Sequence, residues 1–187
     1  MTTMTAPAPA PEDVLAFWFS KETTAKWFNG GTAFDALCRE RFAHAIEAAK
    51  AGDLDHWAAT PEGTLALVIL LDQMTRNIYR GTPDAFSGDA AALAIAKAAV
   101  AKGFDGEIPS ERRNFLYLPF QHSERLEDQE RGMELFATND VDDGLHWMRK
   151  HRDIIARFGR FPHRNAVLGR ASTPEEVEFL QQPGSSF

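Results

Sequence analysis

Residues 65–80 read LALVILLDQMTRNIYR, and this stretch decides the architecture. Leu65 to Leu71 are apolar in every direction, so a helix there is buried all round. The same helix then changes character. Asp72, Gln73, Arg76, Asn77 and Arg80 recur at spacings of three and four, which puts them on one stripe, while Leu67, Leu70, Leu71, Met74 and Ile78 continue the apolar face. A buried helix that carries so much polarity in its last two turns needs partners for it. An unpaired buried amide or charge costs on the order of 1–3 kcal/mol or more.

Outward from this rod the composition is that of an ordinary globular protein. The 187 residues suit one domain with a substantial core, and fourteen Phe and four Trp against two Tyr make that core rich in apolar rings. A net charge of -7 argues against a general nucleic-acid binder or a membrane-surface protein. The charge is unevenly spread. Residues 149–170 hold seven cations against Asp153 alone, a net +6 that leaves -13 on the rest of the chain. The single cysteine, Cys38, excludes an intrachain disulfide and falls on the apolar stripe of a helix, where it reads as a small core residue. Residues 1–10 show neither a basic start nor an apolar signal core, and their Ala-Pro alternation predicts a disordered lead-in to a single helical domain over 11–187. No apolar run reaches the ~20 residues of a membrane span. A soluble, cytoplasmic protein is the expectation.

Taken in order, the chain punctuates into helices. Pro11, Glu12 and Asp13 start one, packed through Val14, Leu15, Phe17, Trp18 and Phe19. After Trp27, Phe28 and the Asn29-Gly30-Gly31 break, Thr32 and Asp35 approximate a capping box ahead of the stripe Phe34, Cys38, Phe42, Ile46, Ala49. Thr60-Pro61-Glu62 caps the central helix, and Asp89 is placed to cap an alanine-rich helix running to Gly103. Pro109 and Ser110 open a short helix that Pro119 should end. Ser123 should start the next, with Leu126, Met133 and Phe136 inward. A helix from about Val141 to Phe158 sets Arg149, Asp153 and Arg157 four apart for pairing, and Thr173-Pro174-Glu175-Glu176 caps a last helix anchored by Val177 and Leu180. No segment of period two is long enough for a strand. The prediction is all-α, seven to nine helices, with short loops favouring antiparallel neighbours.

Three constellations carry possible chemistry. Asp72, Gln73, Arg76, Asn77 and Arg80 put guanidinium and amide groups on one face, suited to a carboxylate or phosphate or else to tying the helix to its loops. In the segment 157–170, Pro162 makes a rigid turn on which Arg160, His163, Arg164, Asn165 and Arg170 emerge, with Phe158 and Phe161 as anchors; this is an anion receptor or a heavily charged helix end. His122 and Glu124 flank Ser123, and His122 has the reference pKa of an acid/base catalyst. The catalytic candidates are therefore His122, His163 and Glu124. There is no HExxH, no paired Cys and no Glu-x-x-His, so no metal or cofactor is expected; Asp143-x-x-His146 stands alone, and His151, on an apolar face, reads as a core histidine.

The segments FWF (17–19), LDQMTRNIYRGTPDAF (71–86), FLYLPFQHSE (115–124), FGRFPHRNAVLGR (158–170), STPEE (172–176) and PGSSF (183–187) occur together and in order. In these the chain resembles the bacterial family known as domain of unknown function 924, over about Val14 to Phe187. The resemblance implies a tetratricopeptide-like right-handed stack of antiparallel helix pairs and no established activity. It implies recurrent polar positions at Asp72, Gln73, Arg76, Asn77, Arg80, His122, Glu124, Gln129, Arg160, His163, Arg164, Asn165 and Arg170. The chain departs from the pattern at Met74-Thr75, where Phe-Pro is usual, and at Ser87-Gly88, where Ala-Thr is usual. The missing proline bears on any kink just before Arg76.

The leading functional expectation is a site where the 72–80 stripe and the 160–170 loop converge on a small anionic ligand, with His122 or His163 as acid/base. The alternatives are a helical-repeat module that binds a protein or peptide partner, and constellations that only lock helix ends together.

Overall fold

The computed structural model describes residues 9–27, 29–139 and 141–186. Most of the expected lead-in, residues 1–8, lies outside the described residues, as do Phe28 and Phe187. Among the described residues the protein is all-helical, with nine helices and no strand. The chain divides into two compact units, one formed by residues up to 80 together with 84–108, the other by 81–83 and 109 onward.

In the first unit, α1 (Pro11–Trp18), α2 (Lys21–Thr24), α3 (Gly31–Ala51), the central helix α4 and α5 (Asp89–Lys102) follow one another, with 3-10 turns at Asp55–Ala59, Pro83–Phe86 and Phe104–Glu107. α4 begins at Pro61–Val68, widens into a π segment over Ile69–Met74 and finishes as Thr75–Ile78. Its start is the predicted one: Thr60 Oγ1 accepts the Gly63 N–H at 3.1 Å. α4 packs against α1, α3 and α5, and every residue from Leu65 to Met74 is buried. The stripe Phe34, Cys38, Phe42, Ile46 and Ala49 is buried as its spacing implies. The π segment ends just before Thr75, the position at which the resemblance places a proline. The Thr75 hydroxyl donates to the Leu71 carbonyl at 2.7 Å, and the Arg76 guanidinium to the Asp72 carbonyl at 2.6 Å. Side chains therefore serve the carbonyls on the turn before Arg76.

The second unit contains α6 (Ser110–His122), α7 (Leu126–Thr138), α8 (Gly144–Phe158), a 3-10 turn at Pro162–Arg164 and α9 (Pro174–Leu180). α7 packs on both α6 and α8, and the Pro162 turn packs on α9. Thr173 and Glu176 form the expected capping box: Thr173 Oγ1 accepts the Glu176 N–H at 3.2 Å and Glu176 Oε2 accepts the Thr173 N–H at 2.8 Å.

Several local expectations are corrected. α6 runs through Pro119 to His122. Leu116, Tyr117 and Phe120 are buried around the proline, and their packing outweighs its missing N–H. α7 starts at Leu126, not Ser123, and Leu126 itself is 46 % exposed. α8 starts at Gly144, because Asp142 and Asp143 sit in the left-handed region at φ 54° and 57°. Arg157 pairs with Glu175 at 2.9 Å and Asp153 with Arg152 at 3.1 Å, in place of the four-apart pairs. Val177 is 47 % exposed rather than an anchor. Neither Thr32-Asp35 nor Asp89 caps its helix: α3 and α5 begin after Gly30 and Gly88 with no side-chain cap. Both carboxylates are used elsewhere.

Candidate functional site

In the first unit the 72–80 stripe closes on carboxylates of the same unit. Arg76 meets Asp89 in a two-pronged pair, Nη1 to Oδ1 at 2.8 Å and Nη2 to Oδ2 at 3.0 Å, and Asp72 Oδ1 lies 3.1 Å from Nη1. Gln73 donates its amide to the other Asp72 oxygen. One turn on, Asp35 of α3 receives Asn77 Nδ2 at 2.9 Å and Arg80 through Nε at 2.6 Å and Nη2 at 2.9 Å. The Arg80 hydrogen bonds hold the Asp35 carboxyl below its ordinary range against the opposing effect of burial. Burial opposes the charge on Arg76, but Asp72 and Asp89 overcome it and leave the guanidinium more firmly protonated than usual. The stripe's two arginines thus tie α4 to α3 and to α5. Asp35 and Asp89 were the missed partners, since a carboxylate at a helix start is read locally as a cap.

In the second unit a similar closure folds the 159–176 segment. Glu124 accepts the Phe161 N–H at 2.8 Å and grips Arg170 at 2.7 and 3.0 Å. Arg170 also donates to Asn165 Oδ1 at 2.9 Å and to the Phe161 carbonyl at 3.1 Å. Glu124 is therefore a clamp across 37 to 46 residues, not the first-turn acid of a helix. Burial opposes ionisation of this carboxyl, but Arg170 and the Phe161 N–H prevail and hold it below its ordinary range. Arg160 pairs with buried Glu176 at 2.6 and 2.8 Å, and Asn165 reaches the same carboxylate at 3.2 Å. Arg160 lowers Glu176 to about 2.

What these clamps present is a cluster of rings around Phe161. The His151 ring stands edge-on to Phe161 at 5.6 Å between centroids, His163 packs on it at 5.6 Å, and His122 meets His151 at 6.2 Å. The buried Arg164 guanidinium lies 4.5 Å from the Phe161 centroid. His151 Nδ1 lies 2.8 Å from the Trp147 carbonyl, one helical turn back. With the ring neutral, Nδ1 carries the hydrogen and Nε2 is the acceptor nitrogen. Burial first, then the charges of His122, Arg164 and His163, push His151 down to about 3. Burial and Arg164 push His163 down to about 4 despite the opposing pull of Glu124. Both imidazoles are therefore neutral at pH 7, within a cationic surrounding. His151 is a core histidine, as its apolar face implied, and it also joins His122 to the Phe161 turn, which the chain order gave no means of finding.

A family model described as bacterial protein of unknown function (DUF924) matches residues 14–184. The chain belongs to this family. It is also similar to a solved structure described as a protein of unknown function from Agrobacterium tumefaciens, at 41 % identity and a TM-score of 0.87, with 91 % of this chain and 96 % of that chain covered. No curated protein matches the chain. Among the described residues of this DUF924 member, no helix is long and apolar enough to cross a membrane, and no group of three His, Cys, Asp or Glu side chains is arranged to hold a metal ion.

Proposed function

We propose that this DUF924 protein binds a small anion at the imidazole cluster of its second unit. The observation that carries the reading is the ring contact of His151 and His163 with Phe161, with His122 against His151 and the Arg164 guanidinium against Phe161. The Arg164 guanidinium supplies positive potential in a partly dry setting where it acts strongly, and protonation of a ring would add an N–H donor beside it. The 72–80 stripe supports the fold of its own unit in this reading, its two arginines already gripping Asp35 and Asp89. The tetratricopeptide-like stack belongs to the same proposal, supported by α7 packing on its chain neighbours α6 and α8.

Binding is favoured over acid/base catalysis as the primary role. A general base works best with a pKa near the working pH, and His151 and His163 lie well below neutrality. An anion among the rings would stabilise their protonated forms, so binding should take up protons and tighten as pH falls from 7 toward 5. The test is isothermal calorimetry with inorganic phosphate and acetate at both pH values, on the wild type, Arg164→Lys and Arg164→Ala. Tighter binding at pH 5, weakened at least tenfold in Arg164→Ala, is the expected result. If no anion binds the wild type, or if Arg164→Ala binds as the wild type does, the reading is wrong.

A further inference from the structure

The first unit holds a pocket of about 310 Å³ between the Asp55–Ala59 turn, the first turn of α4, α5 and the Phe104–Glu107 turn. It changes character from floor to mouth. Thr64 and Ala99, 1 % and 2 % exposed, form the floor, and the Thr64 hydroxyl already donates to the Thr60 carbonyl at 2.7 Å. Ile95 and Phe104 are half-buried on the walls. Asp55 and Lys102, one carboxylate and one ammonium, are exposed and stand at the mouth. The Lys102 ammonium lies 5.3 Å from the centroid of the Phe104 ring, which keeps the cation over a wall of the pocket. Among the described residues neither Asp55 nor Lys102 makes an ion pair or a side-chain hydrogen bond, with each other or with a third group. By contrast Asp35, Asp72 and Asp89 of the same unit each meet an arginine. A largely apolar lining with a few polar groups to fix orientation is the make-up of a small-ligand site. At ~30 Å³ per water molecule the space takes about ten heavy atoms.

We propose that this pocket binds a small aliphatic α-amino acid, its side chain on the apolar floor and its ammonium and carboxylate at Asp55 and Lys102. The site is separate from the imidazole cluster and does not depend on it. The two charges select the ligand. A space of this volume is roughly 7 Å across, less than the ~10 Å over which 0.1 M salt screens a charge. A simple carboxylate seated there is attracted by Lys102 but repelled by Asp55, and a simple amine meets the reverse. A head group of both signs satisfies both residues. In an α-amino acid the two signs sit on one carbon, which leaves the side chain free to enter, and leucine is of the size the pocket takes.

Four probes test this on the full chain by amide chemical-shift titration at pH 7. They are leucine, isocaproate, which lacks its ammonium, isopentylamine, which lacks its carboxylate, and glycine, which lacks its side chain. Leucine should bind about fivefold more tightly than either singly charged probe, the yield of one partly solvated ion pair. Its margin over glycine should be larger still, because glycine buries no aliphatic surface. The shifted amides should centre on residues 55–59 and 95–104. Both charged residues are exposed, so Asp55→Asn and Lys102→Met keep the fold. Asp55→Asn should bring leucine down to about the affinity of isocaproate, and Lys102→Met to about that of isopentylamine. Leucine binding no more tightly than the singly charged probes would mean an apolar slot alone and overturn the proposal. Shifts centred elsewhere, variants that bind leucine as the wild type does, or no binding by any probe would overturn it equally.

Discussion

Arg76 and Arg80 stand on one stripe of one helix, yet their surroundings predict different fates on truncation. The Arg76 side chain is 21 % exposed and serves Asp72, which is fully buried, while Arg80 is 60 % exposed. Arg76→Ala leaves a buried carboxylate without its counter-charge and should cost about 3 kcal/mol in chemical denaturation. Arg80→Ala loses a largely solvated pair and should cost about 0.5 kcal/mol. Equal losses would show that Asp72 is not held in the charged form. Glu124 stands apart because one carboxylate serves both a backbone N–H and a guanidinium. Glu124→Gln keeps one acceptor oxygen for those two duties, so the 159–170 segment should become the first point of proteolysis while the helices stay folded.

The π segment and the ends of the helices belong to the next scale. Gly88 approaches the Leu71 carbonyl so closely that a Cβ there would lie 2.1 Å from its oxygen. Gly88→Ala must therefore push the turn that leads into α5 away from α4, at an expected cost of about 2–3 kcal/mol read as a fall in midpoint denaturant. A cost under about 0.5 kcal/mol would mean that the turn yields freely. The last turn of α6 survives Pro119 partly because Gln129 serves the carbonyls that the helix end exposes. Gln129→Met keeps the volume and removes the donors, so amide exchange should accelerate at the end of α6 before it does at its start.

Over the whole protein, the two histidines held low in the fold predict an acid limit. His151 and His163 are lowered to about 3 and about 4, below the unfolded value near 6.5. The unfolded chain then binds protons more readily than the folded one between those values. Stability is full above pH 6.5 and falls as pH drops toward 4, by up to about 1.4 kcal/mol per pH unit for each histidine. The decline from Glu124 and Glu176 adds below their ordinary range near 4.5, because both are held low in the fold. Denaturation midpoints from pH 7 to pH 4.5 should show this slope, and His151→Leu should remove about half of it. A flat profile in the wild type would mean that the two rings are protonated without penalty.

Much of this protein was legible along the chain. The 65–71 run marked a buried rod, the caps at Thr60 and Thr173 marked two helix starts, and the absence of a period of two excluded strands, because each is a local property of spacing and backbone hydrogen bonding. The same local logic misplaced Asp35 and Asp89 as caps, and it offered Glu124 only as a catalytic candidate beside His122. A carboxylate near a helix start is a cap by proximity, but in the folded chain these three are claimed by arginines 13 to 46 residues away. Their pairing and the imidazoles gathered around Phe161 were decided only when distant segments packed, because burial makes a partner necessary and the tertiary structure alone determines which partner is in reach.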